Sequence, residues 1–227
     1  GVFADACAGF SLGEIEALAY GGAYSYTDGF KIVKKRAEYM SEAAEKYETS
    51  MAAVMKLSDE AVINAVKKYD KLYAVNFNCP SQIVVSGLKT SVEKFKDEVL
   101  ALGGKMIPLK VSAAFHSPFM AEASDKFKEE LGRYTFSAAA LPVYSNVTAE
   151  PYGENITDCL AMQIKSPVKW QQIIENMIKD GFTDFIELGP GKTLSKLISK
   201  ISKNVNVYSV EDTETLNKTL AEVKANA

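Results

Sequence analysis

ADACAGFSLGEIEALAYGGA, residues 4–23, is the stretch of sequence that decides the fold. Its first six residues are small and apolar, which predicts a short buried strand, and residues 14–23 predict a helix. Between them lies Gly-Phe-Ser-Leu-Gly, residues 9–13, a G-x-S-x-G sequence. A tight turn between a strand and a helix is the setting of a nucleophile elbow, which lifts the serine hydroxyl clear of the backbone. The alternative interpretation is a glycine-rich turn whose serine caps the helix.

Ser11 is therefore the candidate nucleophile. A serine hydroxyl reacts poorly until a base takes its proton, so this interpretation requires a partner elsewhere in the chain. The amide of Leu12 is predicted to lie at the N-terminus of the helix, where the helix dipole favours negative charge. We expect that amide to donate to the oxyanion that forms when the serine attacks a carbonyl.

The chain contains a single histidine, His116, so any imidazole chemistry depends on this residue. A metal site built from several histidines is excluded. His116 lies in AAFHSP, where a predicted strand gives way to a helix, and ligand sites collect at strand ends in α/β sheets. We interpret it as the base for Ser11, the alternative being a structural histidine. Four acceptors stay open for its second ring nitrogen: Asp125, Asp158, Asp184 or a backbone carbonyl.

Arg36 occupies an unusual place on a strongly helical segment, residues 30–44. At about 100° per residue it falls inside the apolar arc, whereas Lys31, Lys34 and Lys35 point elsewhere. The arc is formed by Phe30, Ile32, Val33, Ala37, Tyr39, Met40, Ala43 and Ala44. A buried guanidinium is costly unless it meets an anion, and its planar fork suits a carboxylate. Arg36 is thus a candidate for binding a carboxylate, and the alternative is an internal salt bridge.

Residues 51–111 have a pattern of their own. Strands and helices are predicted there in the order β-α-β-β-α-β, with Ser58 placed to cap the first helix. This order is that of a ferredoxin-like unit, for which about sixty residues suffice. We therefore predict a small inserted domain. Outside it, alternating strands and helices predict an α/β fold with a largely parallel sheet.

Two further features receive a structural interpretation. The turn at residues 189–191, Gly-Pro-Gly, precedes a helix, but it lacks the length and pattern of a phosphate-binding P-loop. Asn76, Asn78 and Asn146 are candidates to line a cleft, yet the sequence does not distinguish them from residues of turns and strand edges.

The composition of the 227 residues is that of a globular protein, since 47% are hydrophobic and 24% are charged. The net charge is 26 minus 29, or −3, and no long basic run argues for a nucleic-acid partner. No apolar stretch reaches the ~20 residues of a membrane span. Three widely spaced cysteines fit a reducing cytoplasm better than a disulfide framework.

Six motifs in this chain resemble those of the malonyl-CoA:acyl-carrier-protein transacylases of fatty-acid synthesis and of related acyltransferase domains. They are AGFSLGE, KKRAEYM, NFNCPSQIVVSG, AAFHSP, QIKSPVKW and ELGPGKTL, and they run over nearly the whole chain. The resemblance implies an α/β-hydrolase-like large domain with a ferredoxin-like small domain inserted between the serine and the histidine. The boundaries are 1–49 and 112–227 for the large domain, and 50–111 for the small one.

The same resemblance implies a role for each candidate residue. Ser11 is the acylated nucleophile, His116 is its general base, and the backbone carbonyl of Gln163 orients the imidazole, so no aspartate is needed. Arg36 pairs with the free carboxylate of the malonyl group. Phe115 matches the form associated with malonyl rather than branched acyl units.

The implied reaction moves a malonyl group from malonyl-CoA to the phosphopantetheine thiol of acyl carrier protein. It needs no metal or other cofactor, and we expect a cytoplasmic monomer. The rival interpretations are a serine esterase or thioesterase on the same fold, and a non-catalytic fragment that needs a missing N-terminal segment.

Two departures from the family pattern bear on the site. Phe10 stands where a histidine is common, directly before the serine, which should change local packing without removing the nucleophile. The strand and GQG-type loop that normally begin the family are not in this sequence. We therefore expect the Leu12 amide to be one of two oxyanion donors, and we interpret Gly1 as a cut edge.

Overall fold

The computed structural model describes residues 2–111 and 113–226, and the predictions that concern Gly1 and the boundary at Ser112 lie outside them. The strands are β1 (Cys7–Ala8), β2 (Thr49–Met55), β3 (Leu72–Cys79), β4 (Gln82–Leu88), β5 (Lys105–Pro108), β6 (Val143–Tyr144), β7 (Asp184–Leu188) and β8 (Asn206–Val210). The helices are α1 (Leu12–Tyr20), α2 (Tyr26–Ala44), α3 (Asp59–Val66), α4 (Lys89–Ala101), α5 (Ala121–Leu131), α6 (Ile156–Gln163), α7 (Trp170–Lys179), α8 (Thr193–Ile201) and α9 (Thr213–Asn226).

The chain divides into two compact units. Residues 5–173 form one, and residues 174–226 with residues 2–4 form the other. In the second unit, β7 and β8 pair in parallel. No helix in the described part of the chain combines the length and the hydropathy that crossing a bilayer requires.

Within the first unit, β2 to β5 form one antiparallel sheet in the order β3-β4-β2-β5. Helices α3 and α4 complete the predicted β-α-β-β-α-β order, and the Ser58 hydroxyl accepts the Ala61 amide at 3.2 Å, so the predicted cap is confirmed. One face of the sheet packs against these helices. The other face carries a small cluster of buried apolar residues: Met51, Val75 and Val84.

The rest of the first unit is built around β1 and β6, which pair in parallel with Cys7 opposite Val143 and Ala8 opposite Tyr144. Both strands are only two residues long, and β1 is shorter than the strand predicted at 4–9. Helices α1, α2, α5 and α6 pack into one core. Its largest fully buried side chains include Ile15, Leu18, Ile32, Met120, Phe127, Leu131, Leu160 and Ile164.

Helix α2 differs from its prediction in two ways. It begins at Tyr26, four residues before the helical segment predicted at 30–44, and the Ser25 hydroxyl accepts the Asp28 amide at 3.1 Å. Its buried face is narrower than the predicted arc, because Phe30 is 73% exposed and Ala37 is exposed as well. The buried residues of the helix are Gly29, Ile32, Arg36, Met40 and Ala43. The predicted burial of Arg36 is confirmed.

Candidate active site

The G-x-S-x-G sequence forms a sharp turn between β1 and α1. Ser11 has φ 53° and ψ −95°, a conformation that residues with a side chain rarely adopt. Gly9 is required there, because a Cβ at this position would lie 1.9 Å from the backbone of Gly13. Within the described residues the Ser11 side chain makes no capping hydrogen bond to α1. The capping interpretation of this serine is therefore wrong.

The Ser11 hydroxyl faces the single histidine. Its Oγ lies 2.8 Å from His116 Nε2, and His116 Nδ1 lies 2.9 Å from the backbone carbonyl oxygen of Gln163. A carbonyl can only accept, so the imidazole proton belongs on Nδ1 and Nε2 is left to accept the serine hydroxyl. The backbone of His116 is itself fixed, because its amide donates to the carbonyl of Ile164 at 3.1 Å.

The imidazole of His116 is neutral in this environment. Burial, which leaves the residue 4% exposed, lowers its pKa from the ordinary value of about 6.5 to about 4. The hydrogen bond to Gln163 acts in the opposite direction, and the charge of Arg36 lowers the pKa further. A neutral imidazole is the form that can accept a proton as a general base.

The three aspartates considered as partners of Nδ1 have other partners. Asp125 and Asp158 form ion pairs with lysine side chains, at 3.3 and 2.6 Å. Asp184 accepts a hydrogen bond from Asn206 at 3.0 Å. The position beside Nδ1 is occupied by the backbone carbonyl, the fourth acceptor considered.

Arg36 reaches the same serine from α2. Its Nη2 lies 2.8 Å from Ser11 Oγ and 2.9 Å from Gln163 Oε1. The residue is 7% exposed, and its buried Nε has no hydrogen-bond partner in the described part of the chain. Between described residues, no carboxylate lies within 4.0 Å of the guanidinium, so the salt-bridge alternative does not hold there. Burial lowers the pKa of Arg36 to about 10, which leaves it charged at neutral pH.

The remaining predicted site residues, Leu12 and Phe115, adjoin Ser11 and His116 in the chain. Leu12 is the first residue of α1, directly after the nucleophile turn. Phe115 is half-buried and packs both against the helical core and against the Met51 cluster of the four-stranded sheet. Phe10 packs its ring on Trp170, with centroids 5.6 Å apart and the planes tilted by 58°.

Asn146 is a part of the site that the sequence did not distinguish. It is fully buried two residues after β6; its Oδ1 accepts the Ser11 amide at 2.7 Å, and its Nδ2 donates to the Gly9 carbonyl at 2.7 Å. The side chain therefore binds the backbone on both sides of the turn. Because the Ser11 amide is occupied in this way, the Leu12 amide is the candidate oxyanion donor at this helix end.

Sequence reasoning also missed the side chain of Gln163 and its partner Glu14. Gln163 Nε2 donates to the Ser11 carbonyl and to Glu14 Oε2, both at 2.6 Å. Glu14 also accepts the Tyr152 hydroxyl at 2.6 Å. Burial raises the pKa of Glu14, against the hydrogen bonds from Tyr152 and Gln163. The only sequence signal was a glutamate directly after the G-x-S-x-G motif.

The Gly-Pro-Gly segment at residues 189–191 is a turn before α8. The carboxylate of Glu187 already accepts the amides of Leu194 and Ser195, at 2.9 and 2.8 Å. An acidic side chain thus occupies the start of the helix, where a phosphate would otherwise bind. The structural interpretation of this segment is confirmed.

Comparison with known proteins places the chain among acyl transferases. The family model described as "Acyl transferase domain" matches residues 1–223. The chain is 39% identical, over its whole length, to the malonyl CoA-acyl carrier protein transacylase of Bacillus subtilis, and covers 75% of it. The Escherichia coli K12 protein of the same name is 35% identical over 90% of this chain, which covers 68% of that protein.

Solved structures agree with these relatives. The malonyl CoA-acyl carrier protein transacylase from Clostridium perfringens has a TM-score of 0.96 at 40% identity, covering 99% of this chain and 73% of that chain. A complex of a type II PKS acyl-carrier protein with its malonyl-transacylase gives a TM-score of 0.94 at 31% identity, over 98% of this chain and 74% of that chain. The expected fold class, an α/β-hydrolase-like large domain with a ferredoxin-like small domain, is confirmed. The chain therefore belongs to the acyl transferase family, among the malonyl CoA-acyl carrier protein transacylases.

Proposed function

We propose that this chain transfers a malonyl group from malonyl-CoA to the phosphopantetheine thiol of acyl carrier protein, through a malonyl ester on Ser11. One observation carries the proposal: Ser11 Oγ lies 2.8 Å from both His116 Nε2 and Arg36 Nη2. The atom to be acylated is in contact with a base and with a cation that suits a carboxylate.

In the first half-reaction, neutral His116 takes the hydroxyl proton on Nε2 while Ser11 Oγ attacks the thioester carbonyl of malonyl-CoA. The Leu12 amide donates to the oxyanion of the tetrahedral intermediate. When the carbon–sulfur bond breaks, the proton on Nε2 passes to the sulfur and free CoA leaves. The Gln163 carbonyl accepts from Nδ1 throughout, which stabilises the transient imidazolium.

Arg36 makes the site selective for a carboxylated acyl group. In a malonyl ester the free carboxylate is one methylene away from the ester carbonyl, so a guanidinium in contact with Ser11 Oγ can reach it. The Nε of Arg36 has no hydrogen-bond partner within the described residues. It can therefore donate to the malonyl carboxylate together with an Nη atom, which gives a bidentate contact. Phe115 directly precedes the histidine in the chain, and its bulk favours the unbranched malonyl unit.

In the second half-reaction, the thiol of phosphopantetheine gives its proton to His116 and attacks the ester carbonyl. The ester bond breaks, Ser11 Oγ takes the proton back from Nε2, and malonyl leaves on the carrier. The proton and the acyl group balance without a metal or redox step, so no cofactor is part of the proposal. We place the reaction in the cytoplasm, since the three widely spaced cysteines suit a reducing compartment.

The proposed domains are 1–49 with 112–227 for the large domain and 50–111 for the small domain. The continuous antiparallel sheet of β2 to β5, with its own apolar core under α3 and α4, supports this division. The catalytic groups then come from both parts of the large domain.

The test is the site of acylation. Incubation with malonyl-CoA alone should add one malonyl mass to a proteolytic peptide that contains Ser11, as measured by mass spectrometry. Ser11→Ala is the control and should remain unlabelled. Acyl carrier protein with its phosphopantetheine should then remove the label faster than water does. A label on another residue would refute the assignment, and loss to water as fast as to the carrier would favour a hydrolase.

A further inference from the structure

Glu14 is a buried carboxylate that the proposed reaction does not use. It lies in the first turn of α1 and is 0% exposed. Its Oε1 accepts the Tyr152 hydroxyl at 2.6 Å and the Asn146 amide at 2.9 Å, and its Oε2 accepts Gln163 Nε2 at 2.6 Å. The backbone N–H of Asn146 and the side-chain NH₂ group of Gln163 can only donate. Each carboxylate oxygen of Glu14 therefore serves as an acceptor, and the ionised carboxylate fits the site.

The side-chain amide of Gln163 links Glu14 to Arg36. Its Nε2 faces the carboxylate, and its Oε1 accepts from Arg36 Nη2 at 2.9 Å. The guanidinium can only donate and the carboxylate can only accept, so a flipped amide would present the wrong end to both. The two opposite charges therefore fix the amide, and the amide in turn fixes the guanidinium beside Ser11.

This indirect link leaves the guanidinium available. A direct ion pair with Glu14 would occupy the donors of Arg36, but no such pair exists between these two described residues. The negative charge still favours the charged arginine, because Glu14 raises the pKa of Arg36 against the effect of burial. The buried Nε of Arg36 meanwhile has no partner within the described chain.

We propose that Glu14 is a positioning residue for Arg36. Acting through the Gln163 amide, it holds the guanidinium against Ser11 Oγ without neutralising it, and so maintains the preference for acyl groups that carry a carboxylate. The inference rests on the proposed function and adds the group that orients the arginine.

The test is the ratio of the malonyl to the acetyl acylation rates of Ser11, measured in single turnovers by mass spectrometry. Glu14→Gln conserves the size of the side chain. It replaces one carboxylate oxygen, which accepts a hydrogen bond, with an NH₂ group, which can only donate. We expect the ratio to fall about tenfold, as for a lost hydrogen bond to a charged group. Equal slowing of both acyl groups, or a higher ratio, would overturn the proposal.

Tyr152→Phe is the matched control. It removes one hydrogen bond from the same carboxylate but leaves the charge and the contact with Gln163 in place. We expect a lower melting temperature and an unchanged ratio. If the ratio falls as far as in Glu14→Gln, loosening of the site explains the effect and the proposal fails.

Gln163→Ala tests the link itself, and serves if Glu14→Gln does not fold. It retains Glu14 and the backbone carbonyl that faces His116, so the ratio should fall while the dyad persists. Adding Glu14→Gln to Gln163→Ala should then lower the ratio no further, because both substitutions interrupt the same connection between Glu14 and Arg36. An unchanged ratio, or additive losses, would overturn the proposal. If malonyl-CoA fails to acylate even the unaltered chain, the proposed function fails, and this role fails with it.

Discussion

Ser11 Oγ has two partners whose protonation requirements are opposite. His116 must be neutral to accept a proton, whereas Arg36 must be charged to bind a carboxylate. Burial disfavours the positively charged form of both side chains. This effect keeps His116 neutral, as required, but opposes the charge that Arg36 needs. With pKa values of about 4 and about 10, both requirements are met at neutral pH.

Replacing Arg36 by Ala should slow malonyl acylation more than acetyl acylation. Hydrogen bonds to charged groups are worth about 1.5–3 kcal/mol, so the ratio of the two rates should fall by about 10- to 100-fold. The measurement is the rate of Ser11 labelling from each CoA ester. Lys34→Ala removes an exposed charge from the same helix and should leave the ratio unchanged. Equal losses for both esters would assign Arg36 a purely structural role.

Three site residues could be found from the sequence because each has a local signal. Ser11 lies in a motif, His116 is unique, and Arg36 interrupts a helical periodicity. Glu14 had no such signal, since its role depends on Tyr152 and Gln163, which lie 138 and 149 residues further along the chain. Contacts at that separation are set by the fold rather than by any local pattern.

At the scale of secondary-structure elements, the turn between β1 and α1 imposes different demands on its two glycines. A Cβ on Gly9 would meet the backbone of Gly13 at 1.9 Å, and backbone cannot move aside as a flexible side chain can. A Cβ on Gly13 would have no described atom within 4 Å apart from its chain neighbours and the nearby backbone of its own helix. The first glycine is needed for the turn, and the second occupies an ordinary position in α1.

Gly9→Ala and Gly13→Ala should therefore have opposite effects on the free energy of unfolding. We expect Gly9→Ala to lose about 2–4 kcal/mol through the steric clash. Gly13→Ala should gain about 0.5–1 kcal/mol, because alanine loses less backbone entropy in a helix. Urea unfolding of the two variants beside the unaltered chain measures both. Similar losses in the two variants would contradict this account of the turn.

The small domain was predictable as an ordered series of elements, because its strands and turns have local signals. The buried face of helix α2 was predicted too wide. Helical periodicity assigns every apolar residue on that side to the core, but Phe30 is exposed. Elements α6, β8 and α9 were not predicted. Helix α6 is eight residues long, and much of α9 is exposed, so neither has a strong apolar pattern.

At the scale of the whole molecule, the long insertion between Arg36 and His116 does not separate their side chains. The middle of β2 and the end of β5 are neighbours, with Ala52 opposite Pro108, and the Leu109 amide donates to the Met51 carbonyl at 2.9 Å. A segment whose ends lie close together can be inserted without displacing the chain on either side. This arrangement lets Arg36 and His116 both reach Ser11.

The stability of the whole chain should depend on His116 as the pH falls. Its pKa is about 4 in the folded chain, against about 6.5 when unfolded, so the unfolded state binds the proton more strongly. This contribution is fully present above pH 6.5 and is lost as the pH falls towards 4. The loss amounts to about 3 kcal/mol in total, with a slope of at most about 1.4 kcal/mol per pH unit.

Urea unfolding between pH 5 and 7.5 measures this slope. Ordinary carboxylates, with pKa values near 4, are already ionised in that window, and Glu14, whose pKa is raised by burial, is present in the unaltered chain and in the variant His116→Gln alike, so the difference between the two curves reports the imidazole. His116→Gln removes the titrating group while conserving polarity, and should flatten the curve. If the unaltered chain and the variant lose stability in parallel, His116 takes up its proton in the folded chain as easily as in the unfolded one. A neutral, desolvated base beside Ser11 would then be refuted.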